Sequence, residues 1–227
     1  MKLNPATHDA NRGGVVQSAA ILMPLIYEYA DRPSGMLDVG AGEGHWMRAY
    51  KHLRDGSGTI CGVDVEERKP GWEGSDENGW PWISQWDAEN GDKLPLRAGP
   101  GDPPEQTAYT KWPLALCLEV AEHVTPDAGA WLVIELCRAA DVIAFSAAIP
   151  GQGGDGHVNE QWPSYWSRLF RDQSYALIDP WRDAIWNDQR IEPWYRQNLL
   201  CAVPLRVGHS WPDPLAFVHP EIWKCYR

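Results

Sequence analysis

Two carboxylates and an imidazole close an apolar run. In LCLEVAEH (residues 116–123) the buried-type stretch Leu114–Leu118 stops at Glu119, and Glu122 and His123 follow directly. A strand has no packing reason to end this way. A second polar cluster, PGQGGDGHVNEQWP (150–163), holds Gln152, Asp155, His157, Asn159 and Glu160 among four glycines. If the loops meet, Glu119, Glu122, His123 and His157 form a ligand set for a divalent cation, and the oxygen share suits Mg²⁺ or Mn²⁺. Such a cation binds a hydroxyl, lowers its pKa and aims the oxygen. Without a metal, His157 or His123 is the candidate general base, with Glu160 as the hydrogen-bonding partner of His157.

A third cluster has a different character. LDVGAGEGHW (37–46) places Gly40, Gly42 and Gly44 after an apolar run that carries Asp38. Glycines there allow a tight turn and close approach of a ligand to the backbone. The spacing G-x-G-x-G displaces the third glycine of the dinucleotide fingerprint, and Asp38 would repel a pyrophosphate. Both features favour a cofactor with a positive centre. Asp64, followed by Val65, lies where a carboxylate grips a ribose diol. Asp87, followed by Ala88, ends the next apolar segment.

The elements that must position these groups alternate. Helical spacing is expected over 15–30, 45–54, 127–140 and 164–173, with Asp127 as an N-cap. Strands are expected over 36–39, 59–65, 82–87, 113–119 and 141–149, with two more in SYALIDPWR (174–182) and WYRQNLLCAV (194–203). Residues 90–111 read as a Pro/Gly-rich surface insertion and 204–227 as an irregular tail. This order predicts a single α/β domain over 1–227. Its core is a doubly wound, seven-stranded, mostly parallel sheet with an antiparallel C-terminal edge strand.

At this point the chain resembles the class I S-adenosylmethionine-dependent methyltransferases, whose fold is Rossmann-like. LDVGAGEG, GVDVEE, WDAENGDKLPL and CLEVAEHV match the family's motifs in order, across residues 15–200. The resemblance implies that Asp38, Gly40, Ala41 and Gly42 line the methionine part of the cofactor. It implies that Asp64 and Val65 hold the ribose, that Asp87 and Ala88 sit at the adenine, and that Glu119 lies where the methyl is transferred. EVAEH also resembles the Glu-x-x-Glu-His motif of the ubiquinone-pathway O-methyltransferases and the small-RNA 3′-terminal 2′-O-methyltransferases. That likeness implies metal ligation by Glu119, Glu122, His123 and His157, although the spacing to His157 departs from the RNA enzymes' pattern.

Bulk properties narrow the partners. The net charge of −11 and the absence of a basic stripe disfavour nucleic acid. There are 14 tryptophans, and Trp162, Trp166, Trp181, Trp186 and Trp194 cluster in the C-terminal half, where indole faces would suit a sugar ring or pack as a lid. Five cysteines without a CxxC pair fit a reducing compartment. With no apolar leader or membrane span, a cytoplasmic location is expected. The expected activity is O-methylation of a small molecule or glycan. Methylation of an RNA terminal ribose and non-catalytic cofactor binding stand as alternatives. His8, His45, His52, His209 and His219 have no chemical company and read as structural or surface residues. The oligomeric state is not legible.

Overall fold

The computed structural model describes residues 5–68, 77, 79–97, 110–205 and 218–223, with the backbone alone for 5–12 and 223. Most of the 90–111 insertion and of the tail, with His8, His209 and Cys225, lies outside the described side chains.

The chain runs α1 (Pro5–Tyr29), β1 (Gly35–Val39), α2 (His45–Leu53), β2 (Thr59–Asp64) and β3 (Ile83–Gln85). It continues through β4 (Trp112–Leu118), α3 (Pro126–Ala139), β5 (Ala140–Ser146), α4 (Pro163–Asp172) and β6 (Tyr175–Ile178). It closes with α5 (Arg182–Ile185), α6 (Pro193–Asn198), β7 (Leu200–Pro204) and α7 (Pro220–Trp223). The seven strands form one sheet in the order β3-β2-β1-β4-β5-β7-β6. All neighbours from β3 to β5 are parallel, and β7 runs antiparallel to both β5 and β6. The antiparallel strand is thus inserted between β5 and β6, leaving β6 outermost.

β4 is buried on both faces, which explains its unbroken apolar sequence. Leu114, Leu116 and Leu118 point into a cluster with Leu22, Met23 and Ile26 of α1 and Trp46, Met47 and Tyr50 of α2. Ala115 and Cys117 face the opposite cluster, where Leu132, Val133 and Leu136 of α3 meet Trp166 and Phe170 of α4. Period-2 alternation in the central strand therefore feeds two helical layers.

Several boundaries differ from expectation. α1 begins ten residues before the apolar periodicity. The N-cap of α3 is Thr125, whose Oγ1 accepts from Ala128 N at 3.4 Å. Pro126 at the first helical position sets the start there, and Asp127 falls in the first turn. WYRQN is helical in α6, because Pro193 starts a helix and removes a ladder donor. Only Leu200–Pro204 is strand. Trp166 and Trp181 are core residues, 1% and 5% exposed, so neither offers a face to a sugar.

α6 is secured from the C-terminal side. Arg196 is 3% exposed. Its Nη2 donates to Glu221 Oε2 of α7 at 2.8 Å, and its Nη1 donates to the Trp186 carbonyl at 3.4 Å. His219 Nε2 meets the same carbonyl at 2.9 Å, and the Glu221 amide donates to its Nδ1 at 3.2 Å. These bonds tie α7 to α6 through charge-assisted contacts. Arg196→Ala should lower unfolding free energy by about 2 kcal/mol in urea titrations, while Glu221→Gln, at the exposed end of the pair, should cost less than about 1 kcal/mol.

Candidate active site

The parallel strands β1, β2, β4 and β5 end on one edge, so the turns that follow them meet there. After β1, Gly40 N and Ala41 N donate to the Val63 carbonyl at 2.9 and 3.1 Å. Gly40 adopts φ +72°, and a Cβ there would lie 2.3 Å from Val120 Cγ2, so any side chain would be strained and would displace Val120. Gly42, at φ +53°, donates its amide to Asp64 Oδ2 at 2.8 Å. Arg68 Nε donates to the Gly42 carbonyl at 2.7 Å. The glycine turn is thereby fixed between β1 and β2.

β4 is followed directly by Glu119, a non-glycine residue at φ +55°. Holding a side-chain-bearing residue there costs on the order of 1 kcal/mol and is typical of functional sites. The surroundings impose it: Glu119 N donates to the carbonyl and to Oγ of Ser146, both at 3.0 Å. Its carboxylate accepts from Asn198 Nδ2 at 3.1 and 3.3 Å and from Gln152 Nε2 at 3.5 Å.

Glu122 is fully buried. Its Oε1 accepts from Ala148 N at 3.2 Å, and its main-chain carbonyl accepts from Val158 N at 2.8 Å and Asn159 N at 3.0 Å. One residue thus pins both ends of the 148–159 loop. Its Oε2 is buried without a hydrogen-bond partner. Burial pushes the Glu122 carboxyl far up, and the charge of Glu119 adds to it. Burial also raises Glu119, against the opposing pull of Ser146 and Asn198.

The pinned loop carries His157 to His123. The two rings stand nearly perpendicular, 4.9 Å between centroids. His157 Nδ1 lies 2.8 Å from Glu160 Oε1, and Glu160 also accepts from Gly151 N and Gly153 N at 2.7 and 2.8 Å. Burial alone would raise Glu160, but the bonds from His157, Gly151 and Gly153 together hold it below its ordinary value. Burial, then the His157 charge, lowers His123. Asn159 is spent structurally, its Nδ2 donating to the Ala121 carbonyl at 3.2 Å.

These groups enclose a cleft of about 440 Å³. Its walls include Asp38, Gly40, Ala41 and Gly42 on the β1 side and Glu119, Glu122, His123, Gln152, Asp155 and His157 on the β4–β5 side. Asp64, Val65, Asp87 and Ala88 lie outside this lining, toward β2 and β3. Asp87 caps the short 3₁₀ turn Ala88–Asn90, its Oδ1 accepting from Glu89 N at 2.9 Å. Ligand atoms of Glu122, His123 and His157 lie within 4.8 Å of one another. Glu119 is not in that group; amides have taken it instead.

The sequence reading passed over several cleft residues. His45, read there as structural, lines the cleft and sits 3.4 Å from Glu43. Trp46 and Tyr195 also line it, and so does Trp194 of the C-terminal tryptophan cluster singled out above. Tyr195 rests edge-on against Trp46 at 5.3 Å.

No family model and no curated protein matches the chain. Solved structures do. Magnesium protoporphyrin IX methyltransferase (ChlM) from Synechocystis PCC 6803, crystallised with bound SAH, superposes with TM-score 0.55 at 14% identity, over 90% of this chain and 89% of that one. The sugar N-methyltransferase KedS8 from Streptoalloteichus sp ATCC 53650 gives 0.57 at 13% identity, over 91% and 94%. The 1,6-didemethyltoxoflavin-N1-methyltransferase of Burkholderia thailandensis, with S-adenosylhomocysteine and 1,6-didemethyltoxoflavin bound, gives 0.55 at 15% identity, over 88% and 83%. This chain therefore has the Rossmann-like methyltransferase fold, a seven-stranded mixed sheet flanked by helices.

Asp38 provides a test of the site's electrostatics. It is 3% exposed, and its Oδ2 has no hydrogen-bond partner. Burial, with a smaller push from Asp64, raises its pKa to about 8. The folded protein then holds a proton that the unfolded chain releases, so stability falls as pH rises from about 4 to about 8. Asp38→Asn should flatten that decline, by up to about 1.4 kcal/mol per pH unit, in urea titrations at pH 5, 6, 7 and 8.

Proposed function

We propose that the protein is an S-adenosylmethionine-dependent methyltransferase that methylates a hydroxyl of a small molecule or glycan. One observation carries the reading: a glycine turn and a Glu160-backed histidine face each other across a single cleft at the carboxyl edge of a methyltransferase-fold sheet. When bound, the cofactor supplies an electrophilic methyl on a sulfonium. Asp38 and Gly40–Gly42 would take its amino-acid end, Asp64 and Val65 its ribose, and Asp87 and Ala88 its adenine.

His157 and Glu160 supply the acid–base chemistry. A neutral His157 that donates Nδ1–H to Glu160 carries its lone pair on Nε2. That nitrogen would take the proton of the acceptor hydroxyl. The bound cofactor would supply the methyl and would keep the electron pair of the bond that breaks. The hydrogen bond to Glu160 stabilises the imidazolium that forms. His123, with its pKa lowered, stays neutral beside it.

The cleft's charge bears on the acceptor. Among the described residues, its lining contains acids and histidines but neither lysine nor arginine, which disfavours RNA and other phosphate-bearing acceptors. Among the described residues, no helix is long and apolar enough to cross a membrane. Trp194 in the lining suits a flat acceptor or sugar face. A cytoplasmic location remains the reading of the cysteine pattern.

A metal-assisted variant has its own support. Glu122 has a buried oxygen without a hydrogen-bond partner, and its carboxyl group has a ligand atom within 4.8 Å of those of two imidazoles. Glu122, His123 and His157 would hold the ion, and their two nitrogens suit Mn²⁺ better than Mg²⁺. Such an ion would supply Lewis acidity to the acceptor hydroxyl.

Two measurements test these assignments. Asp64→Ala should abolish S-adenosylmethionine binding by calorimetry; unchanged affinity would defeat the cofactor reading. In a labelled-methyl screen of sugars, catechols and short RNA, Glu122→Gln should remove the activity that chelator removes, while cofactor affinity stays within about twofold. Activity indifferent to chelator leaves His157 as the sole base, and Glu160→Gln should then cost about 10²-fold in kcat.

A further inference from the structure

The residue that fixes Glu119 comes from an unexpected direction. β7 is antiparallel to β5, so the beginning of β7, rather than its end, reaches the carboxyl edge of the sheet. The pairing Phe145↔Leu200 sets this register. Leu118 pairs with Ser146 on the other side of β5. Asn198, two residues before Leu200, is thereby placed across β5 from Glu119, the residue after Leu118.

Asn198 is 4% exposed. Its Nδ2 donates to both Glu119 oxygens, at 3.1 and 3.3 Å, and to Gln152 Oε1 at 3.0 Å. Its own Oδ1 is buried without a hydrogen-bond partner. The amide thus forgoes one bond to put its donor between Glu119 and Gln152. Gln152 closes the ring through Nε2 to Glu119 Oε2 at 3.5 Å. A buried amide gains nothing from this orientation by packing alone. Glu119 faces the same cleft as Asp38 and Gly40–Gly42, whereas Asp64 and Asp87 lie outside it.

We infer that Asn198 and Gln152 are positioning residues that aim the Glu119 carboxylate at the amino-acid end of the bound cofactor. The inference rests on the cofactor assignment above, and it adds two amide side chains that take no part in that assignment. They hold a carboxylate that also lies against the Glu122 carboxyl. In their grip Glu119 presents a fixed acceptor to an ammonium group rather than a ligand to a metal.

The test compares two ligands by calorimetry. S-adenosylhomocysteine carries the amino-acid end, and 5′-methylthioadenosine lacks it. Asn198→Ala should weaken S-adenosylhomocysteine about tenfold and leave 5′-methylthioadenosine within about twofold. Asn198→Asp keeps the shape but sets a carboxylate against Glu119, and should weaken S-adenosylhomocysteine more than the alanine variant does; a purely space-filling role predicts the reverse order. Should substitution at 198 prevent folding, Gln152→Ala, on a partly exposed loop, should show the same ligand selectivity at about threefold. Equal loss for both ligands, or no loss for either, would overturn the inference. A wild-type protein that binds 5′-methylthioadenosine but not S-adenosylhomocysteine would overturn it too. Binding neither would instead defeat the cofactor reading on which it stands.

Discussion

A carboxyl group removed from water organises this site. Burying an acid is costly unless its polar atoms are satisfied, and the structure meets that cost by wrapping the chain around Glu122. The Ala148 amide on its side chain and the Val158 and Asn159 amides on its carbonyl close the 148–159 loop onto one point. Everything else the loop brings depends on this closure: Gln152 beside Glu119, His157 beside His123, and Glu160 behind His157. One oxygen of Glu122 is left unsatisfied, and the carboxyl group lies within reach of a pair of imidazoles. The group that shapes the loop is also the group with bonding capacity to spare.

Topology then sorts the acids by role. Asp38, Asp64 and Glu119 stand at or just past the ends of adjacent parallel strands, yet each meets a different environment. Asp64 is tied to the glycine turn through the Gly42 amide. Asp38 is buried and keeps its proton up to about pH 8. Glu119 is gripped by side-chain amides and strained at φ +55°. The same residue type yields a turn clamp, a neutral acid and an oriented acceptor, because desolvation and hydrogen bonding differ at each strand end.

Much of this was legible in the sequence, for a physical reason. Parallel strands buried on both faces read as short apolar runs, and residues past their ends line the cleft. Glu119, Glu122, His123, His157 and the glycine turn could therefore be found without coordinates. What escaped were features that depend on strand position or on competition between local signals. The antiparallel C-terminal strand was expected, but nothing in WYRQNLLCAV announces that β7 inserts between β5 and β6, which is what carries Asn198, just before the strand, to Glu119. Thr125 outcompeted Asp127 as a cap because Pro126 fixed the helix start. Trp166 looked available to a ligand, yet it fills the core against Phe145 at 5.4 Å. His45 gave no signal, since its contribution arises from where the glycine turn launches α2.

The place of β7 has a consequence for how the molecule is made. β6 emerges from synthesis before β7 but lies beyond it in the sheet. Until residues 200–204 arrive, β5 has an open outer edge and β6 has no hydrogen-bonded neighbour. An open edge of this kind invites pairing with other chains. Pairing of β7 with β5 and β6 closes the sheet, and the same pairing brings Asn198 against Glu119. Closure of the sheet and completion of the cleft therefore rest on one set of backbone contacts.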